Sequence, residues 1–593
     1  MSKVLEQKLW ALRHTAEHVL HTALQNLYPK LKKAMGPATE EGFYFDFDLD
    51  QKVSEEDFPK IEKEMQRLID LDLPMIQEFV SVKEARDIFK ENPYKLEWVD
   101  DIEKRGEKFS IYKIDNVDLD LCNGPHIAST GKIKAFKLLS VAGAYWHGDE
   151  KNKMLTRIYG TCFPTQEDLD KFLKTQEEAK TKDHRKLNQN LKIYMVSDNT
   201  GQGLITLLPN GAVIAQELEK WAVETENKWG YVRVYTPHIV PEKLFKISGH
   251  VPYYIDSMFP PMRMKEKSKE ETEVFYIKPM NCAGHHMVYK SEPRSYRDLP
   301  LRIAEYGTVY RFEQSGELHG MMRVRGPIHQ NDAHIFCTEE QAEEEFQKVM
   351  ELHEYYYNTL GIGKKDYYLS FATRGPENKD KYAGNDAIWE KAETIALKYI
   401  KKTGIPHETE VGGAAFYGPK IDFNIKTVTG KVFSASTNQL DFFLPKAFGL
   451  TYTDKDGKEK TPVCIHRAPL GAHVRFIAFL MEHFAGNFPT WLTPVQVKVL
   501  PITDRNLNYA KSIASKLEQE SIRVEVDYRN ETLQAKIRDA QLEKVAYMLI
   551  VGDREEKEGK VAVRKRSGKD LGQIQIEKFT KDIKKEINEK TIN

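Results

Sequence analysis

Apolar and polar residues are arranged along the chain in three textures. Residues 1–165 mix helical and strand patterns, opening on the amphipathic "MSKVLEQKLWALRHTAEH". Glycine-rich turns at "AMGPATEEGFYFDFDLD" and "VAGAYWHGDEKNK" interrupt them. The charged stretch "TQEEAKTKDHRKLNQNLKIY", free of Gly and Pro, predicts a solvated connecting helix, placed at 166–190. Residues 191–492 form the longest block. In it "GAVIAQELEKWAVETENKWG" predicts a long helix running into a strand, "YVRVYTP", that stops at Pro237. Hairpin-like strands follow, then a helix around "EEQAEEEFQKVMELHEYYYNTLG". At "FPTWLTPVQVKVLPI" prolines mark a boundary, and 493–593 reads as a βαβαβ alternation. The chain is therefore expected to be multidomain, α+β over its first two blocks and α/β in the last.

The middle block holds a cluster of arginines. "TVYRFE" and "MMRVRG" are joined by the polar connection "QSGELHG" and read as an antiparallel hairpin. On a two-residue period Arg311 shares a face with Glu313, and Arg323 with Arg325. Two readings stand: a cross-strand ladder of ion pairs, or guanidinium groups gripping phosphate and carboxylate oxygens while Glu313 accepts from an amino-bearing ring. "IHRAPLGAHVRFIAFLMEHFAG" reads as strand, glycine turn and helix, with Arg475 beside free N–H groups at the helix start. This second arginine favours the anion grip.

Composition narrows the partners. Lys+Arg 88 against Asp+Glu 89 leaves a net charge of −1, so any nucleic-acid surface is local. Forty per cent hydrophobic and 11% aromatic residues exclude a disordered chain. There is no apolar run long enough for a membrane span and no signal-peptide core. Five scattered cysteines suit a reducing, cytoplasmic setting. Cys282, His334 and His466 lie too far apart for any spacing rule to join them, and alone each reads as a structural residue. Near the N-terminus, His14, His18 and His21 fall on roughly one helical face, and "DLCNGPH" adds Cys122 and His126. These form either a metal-like cluster or ordinary surface histidines.

A helix ending in strand-Pro, the "RFE…RVRG" hairpin and the Gly–Arg strand–helix resemble the three signature elements of class II aminoacyl-tRNA synthetases. With "IKPMNCAGHH", "LHGMMRVRG", "NDAHIFC", "AAFYGPKIDF" and "QLDF" in this order, the chain is similar to the threonyl-tRNA synthetase family. The resemblance implies an antiparallel-sheet catalytic core, an N-terminal editing domain and a C-terminal anticodon-binding domain. It also implies ATP-dependent activation of threonine and its transfer to tRNA(Thr), with hydrolysis of seryl-tRNA(Thr), in a homodimer. The ATP site would comprise Arg311, Glu313, Arg323, Gln439 and Arg475 with Mg²⁺, the three arginines carrying catalysis. One Zn²⁺ per subunit would be held by Cys282, His334 and His466, leaving an open position for substrate. Met280, Gln330, Asp332 and Tyr417 would surround threonine. Serine differs from threonine by one methyl group, worth only about 1–3 kcal/mol, so an editing sieve is expected. The family's editing set maps onto His18, Cys122 and His126, with Thr22 where a second histidine is expected. Asn530, Glu555 and Arg564 would read anticodon bases, with a solvated strand end as the lesser reading of "RKRSGK" alone.

Three departures from the family pattern stand out. "GPIHQNDAH" carries an extra residue, Ser436 replaces a glycine, and Ala472 and Val474 replace a serine and a glutamate. The loss of that carboxylate suggests a weakened hold on Mg²⁺. Two alternative functions stay open on this basis: a catalytically impaired tRNA-binding paralogue, and a stand-alone seryl-tRNA deacylase.

Overall fold

The computed structural model describes residues 3–149, 151–265, 272–376, 381–427 and 432–592. It divides into two compact units, 1–177 and 178–593. The boundary falls inside the predicted connecting helix, and the catalytic and anticodon-type blocks share the second unit.

In the first unit, the helix Lys3–Leu27 buries Leu12, Ala16, Val19, Leu20, Ala23 and Leu24. Their spacing of three or four residues makes one apolar stripe. The stripe packs with Phe43, Phe45, Phe47 and Ile158 of a four-stranded antiparallel sheet. Each fully buried Leu or Phe contributes about 1.5–3 kcal/mol. A second sheet, Met75–Val80, Phe109–Ile114 and Asp118–Leu121, carries its last strand directly into Cys122.

The connecting segment is two helices rather than one, Gln166–Lys182 and His184–Leu191. Asp183 breaks them by capping the second: its carboxylate accepts the Arg185 N–H at 2.8 Å. The long helix Pro209–Lys228 follows as expected. The predicted strand after it shrinks to Val232–Arg233, at the edge of an eight-stranded sheet.

Four central strands position the site. Leu301–Val309 pairs antiparallel with Ile328–Cys337, which pairs with Val463–Ala468, which pairs with Val432–Asp441. The arginine hairpin differs from expectation: neither "RFE" nor "RVR" lies within a regular strand. Pro327 has no N–H to donate, so the ladder stops at Ile328. Beyond it the two segments run as irregular extended chain, joined by Arg311 N–H to Arg325 O at 3.0 Å. Val463–Ala468 is buried at every position, and the helix His473–His483 seals the core behind it through Phe476, Ile477 and Leu480.

The C-terminal module follows the predicted alternation. Val524–Val526, Val497–Pro501 and Tyr547–Val551 are parallel, and Lys560–Lys565 and Asp570–Gln575 extend the sheet antiparallel. Arg523 anchors it by an ion pair to Glu217 on the long helix at 2.7 Å.

Candidate active site

Sheet register brings together what sequence spacing could not. His334 and His466 are direct cross-strand partners, with ring centroids 4.4 Å apart. Cys282 starts the helix Cys282–Lys290 and places its Sγ 3.6 Å from His466 Nδ1. The three donor atoms lie within 4.8 Å of one another, and all three residues are buried.

Hydrogen bonds fix which nitrogen of each imidazole is free. His466 donates Nε2–H to Asp441 at 2.9 Å, which leaves the Nδ1 lone pair facing Cys282. His285 donates Nε2–H to Glu305 at 3.0 Å, so its Nδ1 must accept. The partner at that Nδ1 is His334 Nδ1–H, at 2.8 Å. His334 Nε2 is then an unprotonated, buried atom with no partner among the described residues. Burial, followed by the neighbouring imidazoles, holds His334 well below its ordinary pKa and keeps it a neutral ligand. Burial alone would raise Glu305, but His285, the Thr236 N–H and the Lys278 charge bring it down to about 2. Burial, then Asp332 and Asp441, push the Cys282 thiol well up, a shift that a bound divalent cation reverses. Two preset imidazoles and one thiol are a donor set that fits Zn²⁺ with one position open.

His285 had no role legible in the sequence. Its signal was its position three residues after Cys282, on the same helical face. Asn281 was also missed: its Nδ2 donates to Asp332 at 2.9 Å. Gly307 makes room for it, because a Cβ there would lie 2.2 Å from Asn281 Oδ1.

A cavity of about 690 Å³ opens beside the donor set, lined by Cys282 and His466 but not His334. Met280, Gln330, Asp332 and Tyr417 line it, and so do Arg311, Glu313, Arg323, Gln439 and Arg475. Tyr417 stacks on His466 at 4.7 Å and donates to Gln439 at 2.5 Å. Arg311 Nε and Arg475 Nε are buried with no partner among the described residues. Burial and the nearby Arg311 charge lower the Arg475 pKa, so an anion between them would be favoured. Arg323 is instead paired with Glu313 at 2.8 Å and Glu317 at 3.1 Å. Both ion pairs are half-exposed, hence weak and exchangeable. The expected common face of Arg323 and Arg325 is lost with the strand: Arg325 leaves the cavity, donates to Glu313 O and lies over Phe312. Val474 packs into the central core, while its neighbours Ala472 and Arg475 line the cavity.

In the first unit, His14, His18, Cys122 and His126 offer donor atoms within 4.8 Å of one another. The second histidine is therefore His14, one turn before His18, rather than position 22. Thr22 turns away and donates to Asp118 at 2.7 Å. Cys122 Sγ lies 3.2 Å from His126 Nε2 and 3.5 Å from His14 Nε2. Burial pushes the thiol up to about 12 and holds His14 at about 4 and His126 at about 2. His14, His18 and Cys122 line a cavity of about 280 Å³ with Lys95 and Asp120.

The anticodon candidates are more dispersed. Asn530 is exposed after Val524–Val526, and Arg564 sits half-buried on Lys560–Lys565, donating to Gly568 O at 3.3 Å. Glu555 is buried and already engaged by the Gly552 N–H at 3.1 Å and by Gln573 at 2.6 Å.

Residues 264–484 match the tRNA synthetase class II core domain (G, H, P, S and T), and 496–586 match the anticodon binding domain. Residues 109–159 match the threonyl and alanyl tRNA synthetase second additional domain. The chain is 46% identical over 583 residues to a threonine–tRNA ligase of Thermotoga neapolitana, covering 98% of this chain and 88% of that protein. It is 45% identical over 583 residues to that of Staphylococcus carnosus, covering 98% and 89%. A crystal structure of the RNA binding domain of threonyl-tRNA synthetase from Cryptosporidium parvum superposes with a TM-score of 0.63 at 34% identity. That match covers 68% of this chain and 98% of the other. With a relative this similar over nearly its whole length, the chain belongs to the threonyl-tRNA synthetase family.

Proposed function

We propose that the protein activates threonine with ATP, transfers it to tRNA(Thr), and hydrolyses seryl-tRNA(Thr) in its first unit. The observation that carries this reading is one cavity that meets the preset Cys–His–His donor set at Cys282 and His466 and also holds the unpartnered Nε groups of Arg311 and Arg475. Cys282, His334 and His466 would hold Zn²⁺, which supplies an open coordination position for an amino and a hydroxyl group. Asn281 holds Asp332 oriented to accept from that hydroxyl. Arg311 and Arg475 bind and orient the phosphates of Mg²⁺-ATP, with Arg323 joining once it leaves Glu313. Glu313 and Gln439 complete the nucleotide site. Catalysis is then positioning and charge stabilisation, with no covalent bond to the protein. Met280, Gln330 and Tyr417 close the pocket around the amino acid.

For editing, His14, His18, Cys122 and His126 position a water and move its proton, and their burial keeps the imidazoles neutral. Asn530 and Arg564 contact anticodon bases, and Glu555 orders the surface beside them. The active form is a homodimer in the cytoplasm. Supporting a dimer, Val232 on the edge strand of the eight-stranded sheet, with Tyr235 and Ile239 after it, exposes apolar surface, Tyr235 being 82% exposed. No described helix is long and apolar enough to cross a membrane.

The test is threonine-dependent exchange of pyrophosphate into ATP, followed by deacylation of preformed seryl-tRNA(Thr). Exchange without deacylation would reject only the editing assignment; deacylation without exchange would leave a deacylase.

A further inference from the structure

His184, the first residue of the connector helix His184–Leu191, is fully buried and does not line the substrate cavity. Both ring nitrogens are used. Nδ1 lies 2.9 Å from Glu482 Oε1, and Nε2 lies 3.3 Å from the backbone nitrogen of Met321. Glu482 accepts and Met321 N–H donates, so only the neutral Nδ1–H tautomer satisfies both partners. Glu482 also accepts the His184 backbone N–H at 3.3 Å.

The two partners belong to the two elements that carry arginines into the cavity. Glu482 lies seven residues after Arg475 on the helix His473–His483, two turns along the same face. Met321 sits in the tight turn 319–323, closed by Met322 N–H to His319 O at 2.9 Å and Arg323 N–H to His319 O at 3.3 Å. Holding the Met321 amide therefore sets the backbone from which Arg323 departs two residues later. The Met321 side chain is itself buried in the catalytic core. Gly320 presses the turn against the ring: its φ is +50°, and a Cβ there would lie 2.3 Å from His184 Nε2. Asp183, which caps the connector helix, pairs with Arg185 at 2.8 Å and holds the helix start in place.

We propose that His184 is a positioning residue for nucleotide binding, a neutral imidazole bridge that ties the Arg323 turn to the Arg475 helix through the connector. It touches no substrate. It sets the separation of the arginines that receive the phosphates, and so its removal should weaken ATP without changing recognition of the amino acid. The inference rests on the reading of this cavity as an ATP site.

The test compares two substitutions in the full chain. In His184→Asn the side-chain amide occupies the Nδ1 position, keeps Glu482 and cannot reach Met321. In His184→Gln the amide oxygen reaches the Nε2 position and can accept the Met321 N–H. Mg²⁺-ATP affinity is measured by calorimetry, and the KM for ATP and for threonine by pyrophosphate exchange. His184→Asn is expected to bind ATP about three- to tenfold more weakly, the effect of one buried hydrogen bond. Threonine KM should stay within about twofold of wild type, and His184→Gln, which keeps the Met321 N–H but vacates the Nδ1 position facing Glu482, should weaken ATP binding to a similar extent. Should both variants fail to fold, Gly320→Ala, which pushes on the ring from the loop side, is expected to give the same ATP-specific loss. Wild-type ATP affinity in either variant, or a parallel rise in threonine KM, would overturn the bridge. A wild type that binds ATP but shows no threonine-dependent exchange would reject the parent reading, while the calorimetry would still decide this one.

Discussion

The two cysteine–histidine clusters use the same side chains and differ in what stands behind them. In the second unit, outer hydrogen bonds fix both imidazoles: Asp441 holds His466, and Glu305 acts on His334 through His285. Each ring is left with one inward lone pair, the arrangement that raises ligand basicity and fixes the tautomer at a metal. In the first unit, His126 Nδ1 meets only the Thr15 hydroxyl, at 3.2 Å. His14 is met only by the Pro125 backbone, and His18 Nδ1 has no partner among the described residues. The carboxylates nearby, Glu17 and Asp118, go to His21 instead, at 3.2 and 3.0 Å. This difference is what the proposed cation site in the second unit and the proposed proton-transfer site in the first rest on, since residue types alone would not separate them.

The largest expected effect breaks this contrast at its metal side. Cys282→Ser should lose zinc and at least ~10³-fold of threonine activation while binding Mg²⁺-ATP nearly as before, because a hydroxyl is a poor replacement for thiolate. Metal content by mass spectrometry and exchange kinetics check it. Cys122→Ala should leave zinc content unchanged. Its effect lies on deacylation of seryl-tRNA(Thr), expected to slow by about 10²–10⁴-fold, the range of general acid–base action. His14→Ala should match it and Thr22→Ala should not, since Thr22 faces Asp118. A smaller effect sharpens the role of the hydrogen bonds behind the metal: His285→Ala should lower zinc affinity about 10–100-fold without abolishing binding, measured by competition with a chelator.

The smallest effect is on stability. Burial holds His14 at about 4 and His126 at about 2 in the folded protein, both below the ordinary value near 6.5. A depressed imidazole means that the unfolded chain binds more protons, so this stability is whole above about pH 6.5 and lost as pH falls toward 4. The first unit should therefore melt progressively earlier over that window. His14→Gln should flatten the slope.

Much of the architecture was legible because periodicity depends on local chemistry. The C-terminal alternation, the helix before Pro237 and the apolar stripe of the first helix all followed from spacing alone. The arginine hairpin was legible as a connection but not as regular strands, because Pro327 ends a ladder that alternation would continue. The Cys–His–His donor set was illegible as a set: His334 and His466 meet only through antiparallel register, and Cys282 arrives from a helix N-terminus. In the N-terminal cluster "HTAEH" already supplies a histidine pair at i, i+4, His14 and His18, which the placement on 18 and 22 passes over. The approach of Cys122 and His126 to His14 and His18 confirms that pair.

The central claim is that the Cys282, His334 and His466 cavity selects threonine by its hydroxyl. The direct measurement is the ratio of kcat/KM for threonine and valine in pyrophosphate exchange by the wild-type protein. A site built around a required hydroxyl should reject valine by about 10⁴–10⁵-fold, because its polar groups would be left unpaired. A ratio of only about 10–200-fold, the discrimination available to an apolar pocket of the right shape, would contradict the account.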